Sequence, residues 1–318
     1  MRAWQVSELG MPREVMRLSA QVPDPLPGEG QVLVRVRAAA VNFPDALMCL
    51  GLYQVKPPLP YVPGVELCGE LPDGRRVIGN PVAPGGAFAE YTLMDERALF
   101  AAPATLDDAQ AAALHIGYQT AWFGLHRRAA LRAGETLLVH AAAGGVGSAA
   151  VQLGKAAGAT VIGVVGGAEK ATVARELGCD LVIDRKSGDF VAAVREATGG
   201  RGADVVFDPV GGEAYTGSTK CVAFEGRIVV VGFASGTIPA PSLGHALVKN
   251  YSVLGLHWGL YNTRDPQAVR SCHEELTKLA EQGVVRPLVS ERLAFERAAD
   301  GVQRVAEGST TGRVVITL

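Results

Sequence analysis

The sequence predicts an α/β protein in which a doubly wound parallel sheet follows a β-rich segment that folds as a partly open β-barrel. Three observations carry this expectation. From about residue 136, short apolar runs alternate with helical segments, the pattern of a parallel sheet covered on both faces. A small-residue turn, Ala142-x-Gly144-x-x-Gly147, lies between the first of those runs and the helix after it. The first hundred residues instead hold short stretches of alternating apolar and charged positions, broken by prolines, which reads as antiparallel strands joined by turns.

Taken in order, residues 32–41 alternate as a half-exposed strand should. Proline-rich loops flank it at 23–32 and 57–63, and residues 75–80 and 87–94 supply further short strands. Residues 106–131 read as helical, opening on the acidic pair Asp107 and Asp108. Strands are then expected at 136–139, 160–165, 181–183, 204–207 and 227–231, with helices at 148–157, 169–177, 189–197 and 213–222. A sixth strand is expected at 251–258, followed by helices at 266–281 and 295–307. The closing run, 313–318, is a strand that returns to the N-terminal domain.

Composition narrows the function classes. The 318 residues are 48% hydrophobic and 19% charged with a net charge of −2, so no basic surplus points to nucleic acid. No apolar stretch is long enough to span a bilayer, and the N-terminus lacks a signal-peptide core. Five scattered cysteines with no CxxC pair suit reduced thiols in a cytoplasmic protein. The six histidines show no metal-ligand spacing, and His140, ending a buried strand, is expected to bond to backbone. No G-x-S-x-G elbow offers a hydrolase nucleophile.

The turn itself points to a nucleotide. Ala143, Gly144, Gly145, Val146 and Gly147 are the expected cofactor-binding residues: Gly144 lets the backbone approach a pyrophosphate, and Gly147 lets the helix pack closely on the strand. The helix N-terminus then presents unpaired N–H groups and a positive dipole end to the phosphates.

With those residues in view, the chain resembles the zinc-free quinone oxidoreductase (zeta-crystallin-like) branch of the medium-chain dehydrogenase/reductase superfamily. The resemblance covers essentially the whole length. It rests on AAAGGVG (141–147), NFPD (42–45), GLY (51–53), PGVELCGE (63–70), GYQTAW (117–122) and TGRVVITL (311–318). It implies a GroES-like catalytic domain at 1–115 and 260–318, a Rossmann domain at 116–259, NADPH in the cleft and a homodimer. Zinc-dependent relatives carry Cys near the position of Asn42 and His where this chain has Val65. They also carry a four-cysteine lobe where this chain has only a short loop. The resemblance therefore implies no metal.

The second Rossmann strand ends at Gly166-Gly167 with no carboxylate, so nothing there repels a 2′-phosphate. Lys170 and Arg185 lie at two adjacent strand ends and can make charge-assisted contacts with it; as surface cations they can equally be solvated. Thr120 matches a family threonine close to the cofactor. Asp208 and the segment Gly232-Phe233-Ala234 lie at carboxyl ends of strands, on the binding edge, although Asp208 suits a turn cap as well. Asn42 and Tyr53 are the candidate catalytic residues, an amide and a hydroxyl able to donate to a quinone carbonyl. Asp45 is expected to orient Asn42 or the backbone. Cys49 and Cys68 are read as packing groups. The expected activity is reduction of a quinone or related electrophile by NADPH. The alternatives are an enoyl or alkenal double-bond reductase and a non-catalytic NADPH-binding protein.

Overall fold

A computed structural model describes residues 1–318. It divides into two compact units, Met1–Ile116 with Asp265–Leu318, and Gly117–Arg264.

The first unit is built from both chain ends. Its leading strands are β1 (Ala3–Val6), β2 (Met16–Ser19), β3 (Gln31–Ala40), β4 (Leu67–Glu70), β5 (Arg76–Gly79), β6 (Tyr91–Asp95) and β7 (Phe100–Ala101). In the second unit come β8 (Thr136–His140), β9 (Thr160–Val165), β10 (Leu181–Asp184), β11 (Ala203–Asp208), β12 (Val222–Val230) and β13 (Ser252–Gly255). The chain then returns to the first unit with β14 (Val289–Ala294) and β15 (Arg313–Thr317).

Seven strands form the main sheet of the first unit, in the order β14-β15-β3-β4-β5-β7 with β6 paired to β3. The path does not close on itself, so the barrel is partly open. The C-terminal strand pairs antiparallel with β3, Val315 opposite Ala40 and Thr317 opposite Ala38. Trp4 Nε1 adds a bond to the Phe295 carbonyl at 2.9 Å. The core beneath includes Val34, Leu67, Phe88, Met94, Val302 and Ile316, all buried.

One buried histidine in this unit makes its stability depend on pH. His115 is 1% exposed, its Nε2 lies 3.2 Å from Asn80 Oδ1, and its ring tilts against Phe100. Burial, with a smaller contribution from the His273 charge, pushes its pKa down to about 3. An unfolded histidine protonates near its ordinary value of about 6.5. Between those two values the unfolded chain binds the extra proton, so stability falls as pH drops below 6.5. From this residue we expect about 2 kcal/mol less stability at pH 5 than at pH 7. Urea melts at both pH values check it, with His115→Gln flattening that share of the slope; an unchanged slope in the variant overturns the assignment.

The second unit is a six-stranded parallel sheet in the order β10-β9-β8-β11-β12-β13, a doubly wound arrangement whose order reverses beside β8. Every residue of β8 is buried, as in a strand covered on both faces. Burying each such Leu or Val contributes about 1.5–3 kcal/mol. Gly154, in the helix Gly145–Ala156, lets the helix lie close on the sheet. A Cβ there would lie 2.5 Å from Leu137 Cδ2 and 3.2 Å from Val161 Cγ2.

Several elements differ from expectation. The 106–131 segment is three pieces, helices Asp108–Ala112 and His115–Trp122 followed by a π-helical turn at Phe123–Arg128. The helix after β8 starts at Gly145, three residues early. The sixth strand is only four residues long. A helix not expected from the sequence, Phe43–Cys49, follows Asn42 as its N-cap.

Candidate active site

The turn after β8 is built by an alanine. Ala141 takes φ +50°, a left-handed conformation that L-residues adopt at a cost. Gly144 follows in extended backbone as the N-cap of the helix. Gly147 sits in the first helical turn directly against this bend. A Cβ there would lie 2.8 Å from the Ala141 carbonyl carbon and 3.1 Å from Ala142 Cα. Gly147 thus lets the helix start lie close against the backbone that leaves β8, and Gly154 lets the same helix pack on β8 and β9. The first-turn amides of Gly145, Val146 and Gly147 have no intrahelical acceptor and, with Ala143 beside them, form a cradle that fits a pyrophosphate.

The ends of β9 and β10 meet next to it. Gly166 follows β9, and a Cβ there would lie 3.2 Å from Arg185 Nη2, so the guanidinium lies over that glycine. Gly167 has φ +109° and leads into the helix Ala168–Glu176, which carries Lys170. Burial, then the charges of Arg185 and Lys186, lower the Lys170 pKa. Lys170 and Arg185 are thus brought together, and Lys186 is a third cation that sequence reasoning passed over. No carboxylate takes the ribose position at Gly166, so the donor set fits a dinucleotide with a 2′-phosphate.

On the other side of β8, at the end of β11, Asp208 Oδ1 accepts from Val210 N at 2.8 Å and Gly211 N at 2.9 Å. Asp208 is the turn cap, and its other oxygen, Oδ2, is buried without a partner. Ala234 N donates to the Pro209 carbonyl at 3.1 Å and Ser235 N to Val210 at 3.0 Å. The loops after β11 and β12, Gly232–Ala234 included, are therefore one hydrogen-bonded rim. Thr120 is 7% exposed on the helix His115–Trp122. His140 lies beside Asp208 at the end of β8 and bonds through Nε2 to Ser218 Oγ at 2.8 Å. Its partner is a side chain, not the backbone expected, because the helix Gly212–Cys221 places Ser218 over the strand end.

In the first unit, Asn42 is 4% exposed. Its Nδ2 donates to the Ala40 carbonyl at 3.1 Å and to Glu66 Oε2 at 2.9 Å. Both amide hydrogens are engaged, so the expected donation to a quinone carbonyl has no N–H left. Asp45 Oδ2 accepts from Asn42 N at 2.8 Å and Oδ1 from Gly64 N at 3.1 Å. Burial pushes the Asp45 pKa up to about 7. Glu66, fully buried, also accepts from Ile116 N at 2.6 Å and is ion-paired with Arg313. This network was invisible in local sequence because Arg313 is 247 residues from Glu66.

Tyr53 is half-buried against the core of this unit. Burial, then the Asp45 charge, raises its pKa, so the phenol keeps its proton and remains a donor. Burial pushes Cys49 up to about 11 and Cys68 up to about 12, which makes both poor nucleophiles. No three His, Cys, Asp or Glu side chains gather in a way that could hold a metal ion.

Comparison with known proteins agrees with this geometry. Residues 145–274 match the zinc-binding dehydrogenase family and residues 28–104 match the alcohol dehydrogenase GroES-like domain. The chain is 39% identical over 301 residues to a quinone oxidoreductase-like protein 2 homolog of Nematostella vectensis, covering 91% of this chain and 82% of that protein. It is 34% identical to quinone oxidoreductase-like protein 2 of Mus musculus, over 100% of this chain and 92% of that one. Among solved structures, the quinone oxidoreductase of Thermus thermophilus, determined also as its NADPH complex, superposes with a TM-score of 0.89 at 32% identity over 100% of both chains. A mycobacterial protein complexed with NADPH gives 0.91 at 30% identity, again over 100% of both. The chain belongs to the medium-chain dehydrogenase/reductase superfamily, in its zinc-free quinone oxidoreductase branch.

Proposed function

We propose that the chain is an NADPH-dependent reductase that passes a hydride to a quinone and uses no metal ion. The observation that carries the reading is the junction of β9 and β10. Arg185 lies over Gly166, Lys170 is close by, and β9 runs into Gly166-Gly167 where an acidic side chain would bind the ribose of NADH. When bound, NADPH supplies the hydride from C4 of its nicotinamide. The amides of the 143–147 turn hold the pyrophosphate, and Lys170 and Arg185 hold the 2′-phosphate. Thr120, Asp208 and Gly232–Ala234 flank the nicotinamide end, Asp208 by fixing the turn. Tyr53 donates its hydroxyl to the acceptor oxygen, where negative charge develops. Asn42 is assigned as a positioning residue, its side chain tying the entry of the helix Phe43–Cys49 to Glu66. The hydroquinone monoanion left by the hydride takes the single proton it needs from water.

A homodimer and a cytoplasmic setting belong to the same reading. Strand β13 forms an open edge, and Phe224, Leu243, Leu247 and Val248 of the same unit are 72–82% exposed, which a paired edge would cover. All five cysteines are unpaired, as in a reducing compartment.

NADPH oxidation against a panel of quinones, enones and enoyl thioesters tests the activity. Quinones should turn over fastest. Faster turnover of enones or thioesters would replace the substrate assignment, and tight binding without oxidation by any of them would support a binding protein instead. NADPH should bind at least about tenfold more tightly than NADH, the worth of one charge-assisted contact. Lys170→Ala with Arg185→Ala should lower the difference.

A further inference from the structure

We propose that Lys186 is a third cation of the 2′-phosphate site, and that Asp184 is the positioning residue that sets it there. The inference rests on the NADPH reading above. Asp184 ends β10, and one of its oxygens serves two loops at once. Oδ1 accepts from Gly167 N at 2.8 Å and from Lys186 N at 3.0 Å. The loop leaving β9 is thereby pinned to the loop leaving β10.

The consequence is a pairing of two successive side chains with two successive glycines. Arg185 lies over Gly166, while a Cβ on Gly167 would sit 3.8 Å from Lys186 Nζ. Neither Arg185 nor Lys186 takes part in an ion pair or side-chain hydrogen bond within the chain, although many other surface arginines and lysines, such as Lys155 with Asp180, are paired.

Like charges gathered this closely repel one another, and the repulsion registers on Lys170, whose pKa both Arg185 and Lys186 lower. Two acids face the cluster. Glu169 favours the charged form of Lys170, and Asp184 has Oδ1 committed to backbone donors. A dianion placed among the three cations turns the repulsion into attraction. A phosphate monoester on a ribose is the dianion that this end of the sheet is shaped to receive.

The test is calorimetric binding of NADPH, NADH and 2′,5′-ADP to the parent, Lys186→Ala, Lys186→Glu, Asp184→Ala and Asp184→Asn. Lys186→Ala should weaken NADPH and 2′,5′-ADP about tenfold, the scale of a hydrogen bond to a charged group, and leave NADH unchanged. Lys186→Glu should weaken the phosphorylated ligands further. Asp184→Ala should lower the NADPH-to-NADH preference, and Asp184→Asn, which keeps an acceptor oxygen, should restore it. A parent that prefers NADPH, with Lys186→Ala showing the same preference, overturns the role of Lys186 alone. Equal loss in the Ala and Asn variants of Asp184 overturns its positioning role. Equal affinity of the parent for NADPH and NADH overturns the cofactor reading and this inference together.

Discussion

Replacing Gly147 by valine should cost the protein its dinucleotide while leaving both units folded. The β-carbon alone would press on the Ala141 carbonyl and come within 3.1 Å of Ala142 Cα. These are backbone atoms of a bend already held at positive φ, and neither can swing aside as a side chain can. Relief therefore requires the helix start to move away from β8, which withdraws the amides of Gly145 and Val146 from the phosphates. Overpacking of this kind costs about 1–3 kcal/mol or more, so affinity should fall by about fivefold to about 150-fold. Alanine should behave much like valine, because the obstruction lies at Cβ. Titration of NADPH into both variants, with circular dichroism melts alongside, measures the effect. Affinity within twofold of the parent in the alanine variant would show that the turn does not hold the cofactor.

The second large effect is expected at the Glu66–Arg313 ion pair. Glu66 is 0% and Arg313 5% exposed at the side chain. Arg313→Met leaves a carboxylate with no compensating charge in the core of the first unit. Breaking one partner of a buried pair costs about 3–5 kcal/mol. The remaining donors, Asn42 Nδ2 and Ile116 N, do not carry a full charge, so they offset only part of this. A double variant, Glu66→Leu with Arg313→Met, should recover much of the lost stability, because apolar groups of similar volume remove the desolvation cost as well as the attraction. Urea melts of the single and double variants decide the matter. A single variant less than about 1 kcal/mol below the parent, a surface-pair value, would mean that the pair is not the anchor it is taken for here.

The two effects mark what could be read from the amino acids and what could not. The parallel sheet was legible because its signal is local. Each of β8 to β12 is a short apolar run next to a helical one, and the small-residue turn sits between the first two elements. The sheet of the first unit was harder, because its pairing lies outside any local window. Strand β14 escaped notice because only Leu293 of Val289–Ala294 is buried, and the adjacent charges Glu291 and Arg292 leave no strong apolar face. The role of Asn42 was read from residue type, as a donor. Its actual commitments are to Ala40 and to Glu66, the latter 24 residues away. Lys186 was missed for a similar reason: exposed lysines are common, and only the bond from Gly167 to Asp184 gives this one a fixed address.

The placement of β15 bears on how the chain is assembled. Residues 313–317 lie inside the seven-stranded sheet, between β14 and β3, whereas the compact unit Gly117–Arg264 is complete in sequence by residue 264. On the ribosome the inserted unit therefore has all its partners while the unit begun before it still has an open edge along β3. Until Arg313 emerges, Glu66 also lacks its counter-charge. Pairing across so long a stretch of chain is slow, since closure of the loop must precede the gain from contact. The unit synthesised first is thus the unit finished last, and its half-built sheet is what a nascent chain must keep from sticking to its neighbours.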